Sequence, residues 1–465
     1  MTRRERIYGS YSVGVIGMGY VGLVVAGVLS AKGHYVKVYD IDQNKLNQIE
    51  KGECYISEPG LDKLYDKNKI RVSKTIQEIV NESEIIFVTV GTPSNTDGSI
   101  NLSYVEKVAE DIGKVLRTVP HYHKKHIILK STVVPTTTFQ FANIIKFNSC
   151  EYTNFNVLYS PEFLAEGNAI SDMLHPDKVV IGVEDGKTVP FAVKEMFEKV
   201  YGEEQKWVVT TWENAEMIKY ANNAFLSTKI SFINQIADIC EKIPNCDVNE
   251  VARALGYDSR ISPLFLRAGL GYGGSCFTKD LDAISNFAID ELNVDPSLFS
   301  IVNSTNHGRR FIPVDLIREQ PWRREDGTIN EKTIAILGLS FKPNTDDIRD
   351  SPALTIIDSI LKNNMFKRIK INIYDPQAAD IERHGYGTRL VRCPSAKYAL
   401  KGTDMAIICT EWDEFYTLEP DDFLLLMDEP IVIDGRRVLK DPERFIKAGI
   451  KYYGIGYGKH RETVS

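Results

Sequence analysis

The sequence predicts an α/β protein: two doubly wound parallel-sheet domains joined by one long central helix. Three observations predict it. Short aliphatic runs, too apolar to leave a face in water, alternate with helical patterns in both halves of the chain, as strands buried on both sides do. Between the halves, from Asn214 to about Lys242, runs a helical pattern without proline or glycine. A polar, turn-rich stretch, Arg318 to Gly327, marks a second composition shift before the strand and helix alternation resumes. With 465 residues and about 150 residues per domain, roughly three units are expected, at 1–211, 212–310 and 311–465.

The first unit opens on Ser12 to Ile16, a buried strand. Gly17-Met18-Gly19-Tyr20-Val21-Gly22 matches G-x-G-x-x-G, Leu23 to Lys32 continues as a helix, and Gly33 stops it. The next strand, Val36 to Tyr39, ends at Asp40. Strand, glycine turn, helix, strand and acid together form a dinucleotide fingerprint of the Rossmann type. The glycines allow a tight turn and backbone approach to a pyrophosphate at the helix N-terminus. Asp40 would hold the ribose hydroxyls and repel a 2′-phosphate, so NAD is expected rather than NADP. The same stretch resembles an export signal or membrane span, with Arg3, Arg4 and Arg6 before an uncharged run from Tyr11 to Ala31. The fingerprint accounts for its details better, so no membrane partner is expected.

Further buried strands follow. Ile85 to Val90 ends at Gly91-Thr92-Pro93, and Ile127 to Lys130 ends at Ser131-Thr132. Ligands collect at the carboxyl ends of strands in such sheets. Thr92, Ser131 and Thr132 are therefore candidates to face a cofactor or substrate; the alternative is an ordinary turn or cap role. His121, His123 and His126 lack an acidic or thiol partner nearby and read as a solvated loop rather than a metal site. Val157 to Ser160 leads into Pro161-Glu162-Phe163-Leu164-Ala165-Glu166-Gly167. Glu162 and Glu166, four apart, could share a helical face, and a carboxylate pair beside a strand end can supply a general base; an exposed acidic helix start is the alternative.

In the long helix the apolar residues Met217, Ala221, Ala224, Phe225, Ile230, Ile233, Ile236 and Ile239 recur at helical spacing. Lys219 and Asn223 interrupt them four apart. A lysine and an amide together suit an oxyanion, though a lysine reaching out to solvent is the alternative. A helix from Asp247 to Leu255 follows, then Arg260 in a loop. Next comes Gly271-Tyr272-Gly273-Gly274-Ser275-Cys276-Phe277-Thr278-Lys279-Asp280. Three glycines permit close approach of a ligand. Cys276 precedes a helical stretch, where free N–H groups and the dipole favour a thiolate, and Asp280 stands one turn on. A buried structural cysteine is the alternative reading.

The last unit repeats the α/β pattern: strands at Thr333–Leu337, Ile371–Tyr374, Ala406–Cys409 and Ile431–Asp434, with a helix from Pro352 to Leu361. Its first turn lacks the glycine motif and offers Phe341, Lys342 and Arg349 instead; Arg436 and Arg437 follow the last of these strands. Cations at strand ends suit phosphates, and an aromatic suits a base or an apolar wall.

The net charge of −7 and the absence of a long basic run argue against nucleic acid. The seven cysteines are irregularly spaced, with no Cys-x-x-Cys, so neither disulfides nor a zinc site is implied and a reducing cytosol fits best.

Together these residues resemble the UDP-glucose/GDP-mannose dehydrogenase superfamily, in particular its UDP-glucose 6-dehydrogenase branch, from about Val13 to Gly456. The resemblance rests on Gly17 to Gly22, Ser131-Thr132, Pro161 to Gly167, Lys219 with Asn223, Gly273 to Asp280, and Leu339 to Asp347. Most members of the family read Gly-Gly-Ser-Cys-Phe-Pro-Lys-Asp; here Thr278 replaces the proline. Ser275, where branches acting on N-acetylated UDP-hexosamines carry histidine, favours the glucose branch. The resemblance implies an NAD-dependent, two-step oxidation of UDP-glucose at C6 to UDP-glucuronate through a cysteine thiohemiacetal and thioester. The alternative is the same chemistry on another nucleotide sugar, such as a UDP-N-acetylhexosamine. A one-step β-hydroxyacid dehydrogenase and a non-catalytic nucleotide-sugar binder are more distant readings. The implied catalytic set is Cys276, Asp280, Lys219, Asn223, Glu162 and Thr132. The implied NAD contacts are Gly17, Gly19, Tyr20, Val21, Gly22, Asp40, Lys45, Thr92, Ser131, Glu166 and Arg349. The implied substrate contacts are Phe163, Leu164, Lys219, Asn223, Arg260, Phe265, Arg267, Tyr272, Gly273, Phe341, Lys342 and Arg436. A cytoplasmic homodimer or higher homo-oligomer without a metal is also implied.

Overall fold

A computed structural model describes residues 9–65, 69–120, 123–150, 152–202, 204–322, 329–378 and 387–458. Arg3, Arg4, Arg6, His121 and residues 323–327 of the expected linker lie outside the described residues.

The chain forms two compact units. One comprises the residues up to Asn222 with Asn286–Asn293, and the other Asn223–Ser285 with Val294 onward. The first is built on an eight-stranded sheet of β1 (Ser12–Ile16), β2 (Tyr35–Tyr39), β3 (Ile70–Val72), β4 (Ile85–Val88), β5 (Lys125–Leu129), β6 (Phe155–Tyr159), β7 (Val179–Gly182) and β8 (Trp207–Thr210). Their order is β3-β2-β1-β4-β5-β6-β7-β8. Every pairing is parallel except β6 with β7. All four residues of β4 and all five of β5 are buried, because helices cover both faces of the sheet. The strand order reverses at β1, where Val13 pairs with both Val36 and Ile85. That reversal opens a crevice at the carboxyl ends of β1 and β4.

The second unit carries a six-stranded, wholly parallel sheet: β9 (Lys332–Leu337), β10 (Ile369–Tyr374), β11 (Leu390–Arg392), β12 (Met405–Ile408), β13 (Ile431–Asp434) and β14 (Lys451–Gly454). Its order, β11-β10-β9-β12-β13-β14, reverses at β9 in the same way.

The two sheets share a local device. In the first, Gly17 (φ +96°) follows β1, its N–H bonds Tyr39 O at 2.8 Å, and the Asp40 carboxylate accepts from Met18 N–H at 2.6 Å. In the second, Gly338 (φ +92°) follows β9, its N–H bonds Tyr374 O at 2.8 Å, and Asp375 accepts from Leu339 N–H at 2.7 Å. Only glycine takes such φ values without strain. The acids then part company. Asp375 also accepts from Ser340 N–H and Oγ, Gln377 N–H, Ala378 N–H and Trp412 Nε1, and is 3% exposed.

The long helix spans Trp212–Lys242 and runs from the first unit into the second. In the second unit its buried stripe includes Asn223, Ser227, Ser231 and Asn234, while Phe225 (65% exposed), Phe232 and Ile239 face outward. Sequence periodicity put Phe225 and Ile239 in one apolar set with Ile233. The structure divides them, because buried polar groups on this helix have partners and so displace the apolar residues from the inner face. Asn234 accepts from Gly269 N–H at 2.8 Å, and Ser231 Oγ donates to Val302 O at 3.2 Å. Among the described residues no helix is long and apolar enough to cross a membrane.

Candidate active site

In the first unit, the three motif glycines have separate physical reasons. A Cβ on Gly17 would meet Thr89 backbone at 2.8 Å, and one on Gly22 would lie 2.0 Å from Gly17 O. A Cβ on Gly19 would meet nothing within 4 Å. Gly19 therefore borders open space at the N-terminus of the Tyr20–Ala31 helix, which has no side-chain cap. Uncapped N–H groups facing open space fit a pyrophosphate. Asp40 also accepts from Asp42 N–H at 2.8 Å, and Lys45 Nζ is 3.6 Å from its carboxylate. These residues fit NAD: open backbone for the phosphates and an oriented acid for the ribose.

Thr92 Oγ1 donates to Thr132 O at 3.0 Å, and Ser131 Oγ to Val90 O at 2.6 Å, so the loops after β4 and β5 are tied together. Glu58 escaped sequence reasoning. Buried, it accepts from the Tyr20 hydroxyl, from Gly167 N–H at 2.6 Å and from Ala169 N–H at 2.7 Å. This clasp joins the glycine-motif helix to the end of the Glu162–Glu166 segment. Burial first, then the Glu58 carboxylate, pushes the Tyr20 phenol well above its ordinary range.

The Pro161–Gly167 segment is a loop, not the expected helix; the next helix is Ala169–Leu174. Glu162 bends back so that its carboxylate accepts from Leu164 N–H at 2.6 Å. Its backbone carbonyl is drawn to Lys219 Nζ at 2.7 Å, and that ammonium also meets Glu162 Oε1 at 2.9 Å. A carbonyl held this way is lost to helical pairing. Burial pushes the Glu162 carboxyl upward, but Lys219, Leu164 N–H and Lys130 outweigh it and leave it below the usual value. Lys219 is buried and does not reach solvent. Phe163 carries Lys178 Nζ 4.5 Å and Lys219 Nζ 5.4 Å from its ring centre, and Leu164 packs on the core beneath. The third lysine, Lys130, was passed over in the sequence as part of a strand. Among the described residues no cluster of His, Cys, Asp and Glu suits a metal ion.

In the second unit, the glycine-cysteine loop is held from several sides. Asn306 accepts from Tyr272 N–H at 2.7 Å and donates to Tyr272 O at 3.1 Å, and Arg309 donates to Gly269 O at 3.0 Å. A Cβ on Gly273 would lie 2.5 Å from Asp350 O, and one on Gly274 would lie 2.9 Å from the Phe341 ring. The glycines therefore bring the loop close to Asn306, Asp350 and Phe341; their free side is filled by the protein itself and not by the space for a ligand that the sequence suggested. Cys276 is exposed and immediately precedes the Phe277–Asp290 helix. Asp280, one turn on, is 3% exposed; it accepts from Asn223 Nδ2 at 2.6 Å and pairs with Lys279 at 3.0 Å. Thr278 Oγ1 donates to Asp350 at 3.1 Å, a bond that proline could not make.

The remaining candidates are distributed over this unit's loops. Phe265 (φ +63°) lies 6.4 Å from the Phe277 ring, and Lys342 lies over Phe341 at 5.5 Å. Arg267 donates to Tyr416 OH and Arg436 O, and Arg436 to Cys409 O at 2.8 Å. Arg260 and Arg349 are exposed and pair with Asp258 and Asp347. Arg437, named beside Arg436 for an anionic ligand, is instead buried in a two-pronged bridge to Asp247, at 3.0 and 2.7 Å.

The glycine turn, the uncapped helix start and the oriented acid define a dinucleotide-binding α/β protein. Comparison with known proteins specifies which. Three family models match in order: the UDP-glucose/GDP-mannose dehydrogenase NAD binding domain at 11–203, central domain at 213–308 and UDP binding domain at 335–441. A curated UDP-glucose 6-dehydrogenase of Bacillus subtilis (strain 168) is 37% identical over 450 residues, 96% of this chain and 97% of that one. One of Rickettsia felis is 36% identical over 454 residues, 95% of each. A solved UDP-glucose dehydrogenase from the hyperthermophilic archaeon Pyrobaculum islandicum superposes with a TM-score of 0.83 at 30% identity, covering 98% of this chain and 99% of that one. The chain belongs to the UDP-glucose/GDP-mannose dehydrogenase family. It is an NAD-dependent oxidoreductase acting on a nucleotide sugar.

Proposed function

We propose that this enzyme oxidises UDP-glucose at C6 to UDP-glucuronate in two steps, by way of a covalent link to Cys276. The observation that carries the reading is Cys276 itself: an exposed thiol at a helix start, on a glycine loop, one turn before an aspartate held by an amide and a lysine. Oxidising an alcohol to an aldehyde needs no nucleophile. Oxidising an aldehyde to an acid does, and a thiolate supplies it. NAD accepts one hydride in each oxidation.

In this reading Asp280 and Thr132 organise water and protons at the alcohol step, and Lys219 with Asn223 stabilises negative charge on the C6 oxygen. The Cys276 thiolate adds to the aldehyde to give a thiohemiacetal, whose oxidation gives a thioester. Glu162 then activates the water that cleaves it, releasing acid and thiol. Phe163, Leu164, Tyr272 and Gly273 line the sugar. Phe341, Lys342, Arg436, Arg267, Phe265 and Arg260 serve the UDP end, supported by the UDP binding domain match. Tyr20, Val21, Glu166 and Arg349 join the glycines at NAD. The functional division follows residues 1–211, 212–310 and 311–465. The outward stripe of Phe225, Phe232 and Ile239 supports pairing with a second copy.

The test is a panel of nucleotide sugars with NADH counted per sugar consumed and free UDP as competitor. Two NADH from UDP-glucose, with UDP inhibiting, is expected. One NADH per sugar would reduce the enzyme to a single oxidation. Two from a UDP-N-acetylhexosamine with UDP-glucose inert would move the substrate.

Asp40 should also select the cofactor. Its carboxylate is fixed at the ribose position by Met18 and Asp42, and a 2′-phosphate there would meet like charge. A preference for NAD over NADP of about 1–3 kcal/mol in kcat/KM is expected. Equal kcat/KM values for the two would remove Asp40 from this role.

A further inference from the structure

Lys130 stands directly after β5 and before Ser131-Thr132, and its backbone continues the sheet by donating to Val88 O at 2.9 Å. Its side chain turns inward and is 4% exposed. A buried ammonium needs partners. Nζ donates to Ser160 O at 3.2 Å and Pro161 O at 3.4 Å, the carbonyls of the two residues before Glu162. Lys219 takes the next carbonyl, that of Glu162. Two ammonium groups thus hold three consecutive carbonyls, and the backbone has little freedom to turn Glu162 elsewhere. Ser160 N–H also bonds Leu129 O at 2.9 Å, which ties β6 to β5 at the point where Lys130 leaves the sheet.

The charges around Glu162 come from three elements: Lys219 on the long helix, Lys130 after β5, and Lys178 before β7, which reaches Phe163 and donates to Asn222 Oδ1 at 2.8 Å. Glu166 is the further acid of the same loop. Lys130 adds a second positive charge to the surroundings of the Glu162 carboxylate.

We propose that Lys130 is a positioning residue for Glu162: it fixes the loop backbone through the Ser160 and Pro161 carbonyls and sets a second buried cation beside the Lys219–Glu162 pair. This rests on Glu162 acting as the base of thioester hydrolysis. Burial, with Lys219 adding to it and Glu162 opposing, lowers the Lys130 ammonium to about 8, so its charge persists below that pH.

The test compares Lys130→Gln, Lys130→Met and Glu162→Gln in the full-length enzyme, with kcat against pH, KM and the mass of the quenched protein. Glutamine keeps a donor for the carbonyls and removes the charge; methionine removes both. Lys130→Gln should move the acidic limb of kcat to higher pH by about one unit, since a cation near a carboxylate favours its charged form. At a pH on that limb kcat should fall roughly tenfold with KM for substrate and NAD nearly unchanged. Both variants should accumulate acylated protein on that limb, Lys130→Met more of it, because its loop also loses the donor to the Ser160 and Pro161 carbonyls. If Lys130→Met does not fold, Lys130→Gln decides alone. A stalled Glu162→Gln together with an unmoved limb in Lys130→Gln would overturn the proposal and leave Glu162 as the base. A Glu162→Gln enzyme that hydrolyses normally would overturn both.

Discussion

Cys276→Ala should stop the reaction after the first oxidation, with formation of the acid falling by at least about 10³-fold while the alcohol step continues. The magnitude follows from the chemistry: without a covalent nucleophile, hydride loss must come from an aldehyde hydrate that the site is not arranged to hold. Cys276→Ser supplies a hydroxyl, far weaker at neutral pH, and any ester formed would hydrolyse slowly. The side chain is exposed at a helix start, so neither change leaves a core cavity, and the variants are expected to fold. The complementary variant is Glu162→Gln, which should form the thioester and retain it. Intact-protein mass spectrometry after quenching with substrate and NAD should find the chain heavier by one UDP-glucuronosyl group. No adduct there, together with near-normal acid production by Cys276→Ala, would return Cys276 to a structural role.

Lys219→Ala should lower kcat by about 10²–10³, the usual scale for an oxyanion donor, and do so at both oxidations. Lys219 is buried, and its Nζ has Glu162 O at 2.7 Å and Oε1 at 2.9 Å as partners. Its loss would leave a buried carboxylate with less compensation, so Glu162 should titrate higher as well. A folded Lys219→Ala enzyme with ordinary rates for both hydride transfers would confine the lysine to holding the loop. Single-turnover measurements of each oxidation separate the two effects. An oxyanion role slows hydride loss, whereas a purely loop-holding role slows only thioester cleavage.

Much of this was legible in the sequence because each signal has one strong physical cause. Strands buried on both faces are mostly apolar, so β4, β9, β12, β13 and the Ile127–Leu129 end of β5 announce themselves, whereas His126, expected in a solvated loop, is buried near the start of β5 beside Lys125. The glycine turn is legible because three steric demands coincide at fixed spacing: a positive φ at Gly17, open space at Gly19 and a close contact at Gly22. The Pro161–Gly167 loop was misread because its fate depends on Lys219, far away in sequence, which takes the Glu162 carbonyl. Glu58 and Lys130 were invisible for the same reason. A lone acid or lysine has no pattern, and its burial is decided by partners on other elements. The long helix was recognised but its faces were not. Asn223 stood out with Lys219, but Ser231 and Asn234 did not: they turn inward for Val302 and Gly269, which periodicity of apolar residues cannot express.

The fate of Asp375 bears on timing. Six donors saturate its carboxylate, whereas Asp40, at the matching place in the first sheet, keeps an open turn beside it. The second sheet thus repeats the scaffold of a dinucleotide turn with its acid already satisfied by the protein, so in the proposed two-step oxidation the first sheet's turn would serve a two-electron carrier twice. In that proposed reaction the spent carrier would have to depart and a fresh one dock midway through each turnover. During that exchange a free aldehyde would escape or hydrate, and an anchored one would not. In the proposed mechanism covalent attachment would then act as a clock as well as a catalyst, making the half-oxidised sugar wait.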